Sequence, residues 1–246
     1  MSVPQSLSKM TARSVVLSVL LGAHPAWATS AEMLQLTSDF GIREQTLRVA
    51  LTRMVAAGDL VRSDDGYRLS DRLLNRQRRQ DDALYPRTHD WDGNWITLVI
   101  TAVGMDARAR AALRNTLQIK RFGELREGVW LRPDNLDDAL PAEVVERVRV
   151  LHARDGDPAE LTRRLWDLPG WAGTGHRLLD DMAAARDIPG RFPAAAAIVR
   201  HLLTDPVLPK ELLPARWPGV DLRKAYADFA AELVARRDER RLVEAK

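Results

Sequence analysis

Arginine, glutamine, threonine and valine recur along residues 43–57 at spacings that put them on one side of a helix. On a 3.6-residue wheel, Leu47, Ala50, Leu51, Met54 and Val55 share a face, the i, i+3, i+4, i+7, i+8 pattern of a buried stripe. Gln45, Val49, Thr52 and Ala56 fall opposite, with Arg48 and Arg53 on the flanks. Such an outward face offers cations and hydrogen-bonding side chains beside a methyl-bearing residue, with few acids. That combination suits contact with base edges and phosphates in a DNA major groove.

The elements around this helix must hold it. A helix is predicted from Thr11 to just before Gly22, with Val15, Val16, Val19 and Leu20 at helical spacing. Pro25 then breaks the chain, and Thr29 to Glu32 form a capping box that starts a second helix over about Ser30 to Ser38, burying Met33 and Leu36. Gly41 supplies the turn before Arg43 opens the third helix, and Gly58 closes it. Leu60-Val61-Arg62 and Tyr67-Arg68-Leu69 flank Asp64-Asp65-Gly66, an Asp-Gly hairpin signal. Three helices and a hairpin make a winged helix. The competing reading takes Lys9, Arg13, the apolar run Val15 to Leu21 and Ala26-Trp27-Ala28 as a signal peptide; the capping box directly after it favours the helical unit. A helix from Asp71 to about Asp82, capped by Ser70, carries Arg72, Arg76, Arg78 and Arg79, and is read as a solvated charged face rather than a phosphate contact.

Beyond a linker at Asp82 to Asp92 the period changes from 3.6 to 2. Trp95 to Val103 reads as a buried strand, Asp106 to Gln118 as a helix, and Gly123 to Leu125 and Val129 to Leu131 as strands. Pro141 to Glu146 reads as a short helix and Val148 to His152 as a returning strand, giving a ferredoxin-like βαββαβ order. Four helices follow, at Pro158–Asp167, Ala172–Arg186, Phe192–Thr204 and Leu222 to about Arg241. Asp205 to Gly219 has four prolines in fifteen residues and reads as an extended, rigid connection. The expected class is therefore α+β: an N-terminal winged helix-turn-helix (residues 1–82), a central ferredoxin-like domain (90–157) and a C-terminal helical domain (158–246).

Composition narrows the chemistry. The 246 residues are 46% hydrophobic, enough for ordinary cores, and the net charge of +3 permits nucleic-acid binding without arguing for it. No cysteine is present, which removes disulfides and thiolate chemistry and fits a cytoplasmic protein. No stretch is long and apolar enough for a membrane helix. His24, His89, His152, His176 and His201 lack metal-ligand spacing, and neither a phosphate loop nor a hydrolase triad is evident, so no cofactor or metal is expected. The strongest enzyme alternative is a metal-dependent nuclease using Asp106 after the first central strand; a helix-capping role explains that residue more simply. An adaptor without any DNA role is the third class.

Three groups of motifs resemble, in order, the PaaX family of bacterial repressors, known for controlling phenylacetate catabolism. They are FGIREQTLRVALTRMVAAGDLV; WDGNW with FGELREGVWLRP; and RRLWDL with DPVLPKELLPARWPG. The resemblance runs from Arg13 to Leu233. It implies a homodimeric, non-enzymatic repressor on a partly palindromic double-stranded operator, released by an acyl-coenzyme A such as phenylacetyl-CoA. A two-fold dimer would read half-sites about one helical turn, roughly 10 base pairs, or a multiple apart.

On that footing Gln45 and Arg48 are assigned to base edges and Val49 to a thymine methyl; Arg43, Thr46, Thr52 and Arg53 go to phosphates or sugars. The tip Ser63-Asp64-Asp65-Gly66 is shorter and more acidic than the family's wings, which leaves Arg62 and Arg68 on the strands as its phosphate partners. A CoA thioester needs cations and an apolar or aromatic pocket. Trp130, Trp166, Trp171 and Trp217, with Arg163, Arg164, Arg177 and Arg216, can supply both, or the tryptophans can simply pack helices on the central sheet, with Trp217 held by Pro214 and Pro218 as a plug. The pocket is expected between the central and C-terminal domains.

Overall fold

A threonine cap starts the first helix, α1 (Ala12–Gly22), where the Thr11 hydroxyl accepts from the Ser14 amide at 3.2 Å. The computed structural model describes residues 11–244, with side chains as far as residue 235; Lys9 lies outside the described residues. The chain is mixed α+β and divides into two compact units. The first comprises the described parts of Met1–Asp81, Asp181–Ala197 and Lys224–Lys246; the second is Asp82–Asp180 with Ile198–Arg223.

In the first unit α1 is followed by β1 (Trp27–Thr29), α2 (Ser30–Ser38), α3 (Glu44–Ala56), β2 (Leu60–Arg62), β3 (Gly66–Leu69) and the start of α4 (Asp71–Leu84). The predicted capping box is present: the Thr29 hydroxyl accepts from the Glu32 amide at 3.1 Å, and the Glu32 carboxylate accepts from the Thr29 amide at 2.8 Å. Val16 and Leu20 of α1 pack with Met33, Leu47, Leu51, Met54, Leu60 and Leu69 in one core. The apolar run weighed as a leader is thus part of that core. Gln77 of α4, itself buried, donates its amide nitrogen to the carbonyls of Leu21 (3.1 Å) and Ala23 (2.8 Å), satisfying groups that the end of α1 leaves open. Ser70 does not cap α4 through its hydroxyl, which is buried without a hydrogen-bond partner; its backbone carbonyl accepts from Leu73 and Leu74 instead.

The first sheet has three strands, in the antiparallel order β1-β3-β2. β1 was not expected, because three residues after a proline carry too little alternation to be seen. It changes what Gly66 is for. Glycines 41 and 58 take the left-handed backbone (φ 67° and 69°), whereas Gly66 does not, so no mirror-image turn requires it. Instead it faces Thr29 in register, and a Cβ there would lie 2.3 Å from the Ala28 carbonyl oxygen.

In the second unit the order is β4 (Trp95–Ile100), α5 (Ala107–Ile119), β5 (Gly123–Arg126), β6 (Val129–Pro133), α6 (Ala142–Val145) and β7 (Val148–Ala153). The four strands form one antiparallel sheet in the order β5-β6-β4-β7. β4 stops at Ile100, three residues before the predicted end; the Thr101 and Ala102 amides turn to the Arg147 carbonyl, and Val103 is exposed. Alternation along β6 sends Trp130 into a core with Leu98, Leu113, Leu117 and Phe122, and Leu131 into another with Trp95, Leu161, Leu168 and Leu208. After α7 (Pro158–Leu165), α8 (Leu168–Ala184) and α9 (Ile188–Leu202), the proline-rich segment runs irregularly with a single 3-10 turn at Lys210–Leu212 before α10 (Gly219–Glu244).

Gly66→Ala must push β1 away from β3, because the obstructing atom is backbone rather than a flexible side chain. A loss of about 1–3 kcal/mol, the usual cost of overpacking, is expected in urea unfolding. A wild-type midpoint would show that β1 does not approach β3 this closely.

Candidate nucleic-acid interface

α3 opens without a side-chain cap at Arg43 and buries Leu47, Leu51 and Met54, each at most 3% exposed. That orientation leaves Gln45, Thr46, Arg48, Val49, Thr52 and Arg53 exposed, together with Arg43. Val49, 45% exposed, is an apolar side chain with no core to fill. Two of the predicted residues are engaged within the helix. Arg48 pairs with Glu44 one turn earlier at 2.5 Å, both well exposed, and the Thr52 hydroxyl donates to the Arg48 carbonyl at 3.0 Å. Arg48 therefore reaches outward only by leaving an acid that also faces solvent. An exposed i,i+4 pair is worth a few tenths of a kcal/mol, so Glu44 restrains Arg48 weakly.

Arg62 on β2 and Arg68 on β3 are exposed, as are Asp64 and Asp65 at the hairpin tip. On α4, Arg72 is bound to Asp59 and Arg78 to Asn75, while Arg76 and Arg79 are exposed. Alongside α3 runs an open groove of about 660 Å3, lined by Gln45, Thr46, Val49 and Arg53 and, from α1, by Thr11 and Arg13. In the sequence Arg13 is only a charge ahead of an apolar run. Its one distinguishing signal is that it is the sole charged residue of α1.

The residues assigned to an effector all lie in the second unit, but they do not form one cluster. Trp130 is a core residue rather than a pocket wall: it is 2% exposed, packs with α5, and Arg114 lies over its ring at 5.6 Å. Trp166 stacks on Trp95 at 6.5 Å and covers Gly123, where a Cβ would meet its ring at 3.1 Å. Trp171 is sandwiched between Trp217 (4.3 Å) and His201 (4.1 Å), near-parallel to both, and donates its indole nitrogen to Thr204 at 3.1 Å. Arg163 is exposed and pairs with Glu160, Arg177 is exposed and donates to Thr174, and Arg164 and Arg216 are exposed.

Elsewhere, Asp106 accepts from the Ala109 amide at 2.7 Å as the N-cap of α5, the helix-capping role weighed above. Among the described residues no three His, Asp or Glu side chains converge as a metal site, and no helix is long and apolar enough to cross a membrane. His89 binds Asp137 (3.0 Å) and the Asp134 carbonyl (3.0 Å), and the Asp137 hydrogen bond raises its pKa.

His201 behaves in the opposite sense. Burial holds its pKa below the ordinary value, and the charge of Arg177 pushes the same way, against the Trp171 carbonyl and Asp205. The Trp171 carbonyl can only accept, so Nε2 of His201 is the protonated nitrogen at 3.0 Å. The neutral ring is the form that fits. Stability from this stack is complete above the unfolded value near 6.5 and falls as the pH drops through the lowered folded value. Near-UV circular dichroism of the tryptophans should hold steady above that value and change below it. His201→Gln should remove this transition; if it persists in that variant, another group titrates.

Comparison with known proteins agrees along the chain. The sequence matches the PaaX-like protein family over residues 11–73, the PaaX protein central Cas2-like domain over 88–160, and the PaaX-like protein C-terminal domain over 190–240. It is 28% identical over 219 residues to the "Transcriptional repressor PaaX" of Escherichia coli (strain K12), covering 77% of this chain and 69% of that protein. Among solved structures, the "Uncharacterized protein Rv0674" from Mycobacterium tuberculosis is 70% identical with a TM-score of 0.83, over 93% of this chain and 98% of that one.

Proposed function

Because the chain belongs to the PaaX family, we propose that it is a DNA-binding transcriptional repressor that reads double-stranded operator DNA with α3. The observation that carries this reading is the division of α3 into a buried apolar stripe and an outward face of Gln45, Thr46, Arg48, Val49, Thr52 and Arg53. α1 to α3 with the β2-β3 hairpin are read as a winged helix-turn-helix (residues 1–82), the β4-to-β7 sheet as a ferredoxin-like domain (90–157) and the remainder as a helical domain (158–246). Gln45 and Arg48 address base edges, Val49 a thymine methyl, and Arg43, Thr46, Thr52, Arg53, Arg62 and Arg68 the backbone.

The operator is regulated through a homodimer whose two α3 helices meet the duplex about one helical turn, or a multiple of it, apart, and an acyl-CoA, of which phenylacetyl-CoA is the leading candidate, releases it. Arg177 and Arg216, exposed and close in sequence to Trp171 and Trp217, are the candidates for the phosphates of such an effector. Because Trp171 is covered on both faces, the acyl group would meet the Trp171–Trp217–His201 stack at an edge or at Trp217. Arg163 and Trp166 are further candidates, and Trp130 is not. The effector acts only if it binds the DNA-competent arrangement less tightly than another.

The test is an electrophoretic shift with DNA from upstream of its own gene, with and without phenylacetyl-CoA and other acyl-CoAs. A shift at low salt that phenylacetyl-CoA reverses is expected. No shift sinks the repressor reading, and a shift indifferent to every thioester sinks only the effector. In the same assay Arg48→Ala should weaken specific binding by about 1–3 kcal/mol, while Glu44→Gln, which frees Arg48 and removes an acid from the approaching phosphates, should tighten it a few-fold. Equal affinities for Arg48→Ala and wild type would take Arg48 off the base-reading face.

A further inference from the structure

We propose that Arg13 of α1, fixed in place by the buried carboxylate of Asp59, is a phosphate-gripping residue that seats one backbone strand of the duplex in the groove beside α3. The proposal rests on the DNA-binding reading and adds to it a contact outside α3 and the hairpin.

Asp59 follows the glycine that ends α3, and its side chain is 3% exposed. Arg13 donates to its Oδ2 from Nε (3.1 Å) and Nη2 (2.8 Å), and Arg72 of α4 donates to Oδ1 from Nη2 (2.5 Å). The arginine side chains remain 59% and 68% exposed. Two guanidinium groups on one carboxylate leave a surplus positive charge at the surface. A guanidinium has five donors, and Nη1 of Arg13 has no protein partner among the described residues, so the group can bind Asp59 on one edge and an anion on the other.

Position decides which arginine meets DNA. Arg13 lines the groove together with Gln45, Thr46, Val49 and Arg53, whereas Arg72 does not. The same groove is also lined by Ala12, Ala50 and Ala57, small and apolar enough for deoxyribose to approach, and among the described residues Arg13 and Arg53 are its cations. Among the described residues Asp59 is the one acid lining it, and it is already doubly paired. A polyanion with apolar sugars fits that lining better than a free peptide or a neutral ligand does.

The buried carboxylate has a role in this arrangement beyond stability. A buried ion pair is often no more stabilising than apolar packing. What Asp59 adds is a fixed guanidinium: a free arginine loses rotamer entropy when it orders on a ligand, and here that loss has occurred on folding. Such a contact sets the register of α3 on the duplex and carries no sequence preference.

The experiment measures binding to a random-sequence duplex by fluorescence anisotropy across a salt series, where phosphate contacts dominate. Arg13→Ala should reduce the slope of log affinity against log salt by about one and weaken low-salt binding several-fold. Arg13→Lys should restore most of the slope. Should the alanine variant unfold, Arg13→Gln, which removes the charge but keeps a donor for Asp59, carries the same expectation. Arg72→Ala disturbs the same carboxylate but removes a cation that does not line the groove, so it controls for loss of the joint and should leave the slope at the wild-type value. An unchanged slope in both Arg13→Ala and Arg13→Gln, or an equal fall in Arg72→Ala, overturns the proposal. Wild-type protein that binds no duplex at low salt overturns the DNA-binding reading with it, and that outcome is recognisable because every variant is then equally inert.

Discussion

A single buried carboxylate ties three helices of the first unit together. Asp59 holds Arg13 of α1 and Arg72 of α4, and its own carbonyl accepts from the Ser70 amide at 3.0 Å as α4 begins. Apolar packing of Val16, Leu20, Leu47, Leu51 and Met54 supplies the bulk of the cohesion, but such packing tolerates small rotations of one helix on another. A carboxylate with three directional contacts does not. Removing one arginine would leave the charge partly unpaired in a site that is almost wholly buried, which is far more costly than the intact group is stabilising. The orientation of α3 relative to α1 is therefore set by an ionic joint at its C-terminal end, and the α3 surface depends on it.

The second unit uses the same device at its proline-rich segment. Asp205, 1% exposed, pairs with Arg223 at 2.7 Å, accepts from the Val207 amide at 2.9 Å, and its carbonyl receives Arg121. Asn135 donates to the Val207 carbonyl at 2.9 Å. These bonds hold Val207 at φ 51°, a conformation that costs a β-branched residue about 1–3 kcal/mol and persists only where its surroundings dictate it. Proline stiffness alone cannot explain the path of this segment; a buried acid does. Burial lowers the Arg121 pKa, opposed chiefly by Asp205, yet an arginine starts so high that it stays charged and the joint survives at neutral pH.

Periodic features were legible because they are local. The stripe of α3, the Thr29–Glu32 box and the β-α-β-β-α-β order in the second unit each follow from residues a few positions apart. What sequence could not reveal depends on partners far along the chain. β1 exists because β3 needs a neighbour, and Gly66 is required by that neighbour rather than by a turn. Arg13 and Asp59 are 46 residues apart, so nothing in either local pattern announces the pair. Trp130 looks suited to a pocket until strand alternation and the cores on both faces of the sheet place it, with Leu131 in the opposite core. A tryptophan in a strand buried on both sides has no free face to offer a ligand.

The hairpin shows how these constraints bear on the α3 surface. Its strands carry Arg62 and Arg68, both exposed, while its tip carries Asp64 and Asp65, also exposed. The hairpin's charges thus cancel in sum but are separated along its length. A duplex approaching α3 meets attraction at the strands and repulsion at the tip, and at physiological salt each acts only over about 8 Å. The tip therefore cannot settle deeply against a phosphate strand, and the backbone contacts must come from cations nearer the helix. The position of β3 between β1 and β2 makes that stricter, since a strand paired on both sides cannot bend its tip away. Under the proposed DNA-binding reading, this electrostatic ground gives the orienting of α3 to arginines fixed on the body of the unit, and leaves sequence discrimination to the α3 face that carries Gln45, Arg48 and Val49.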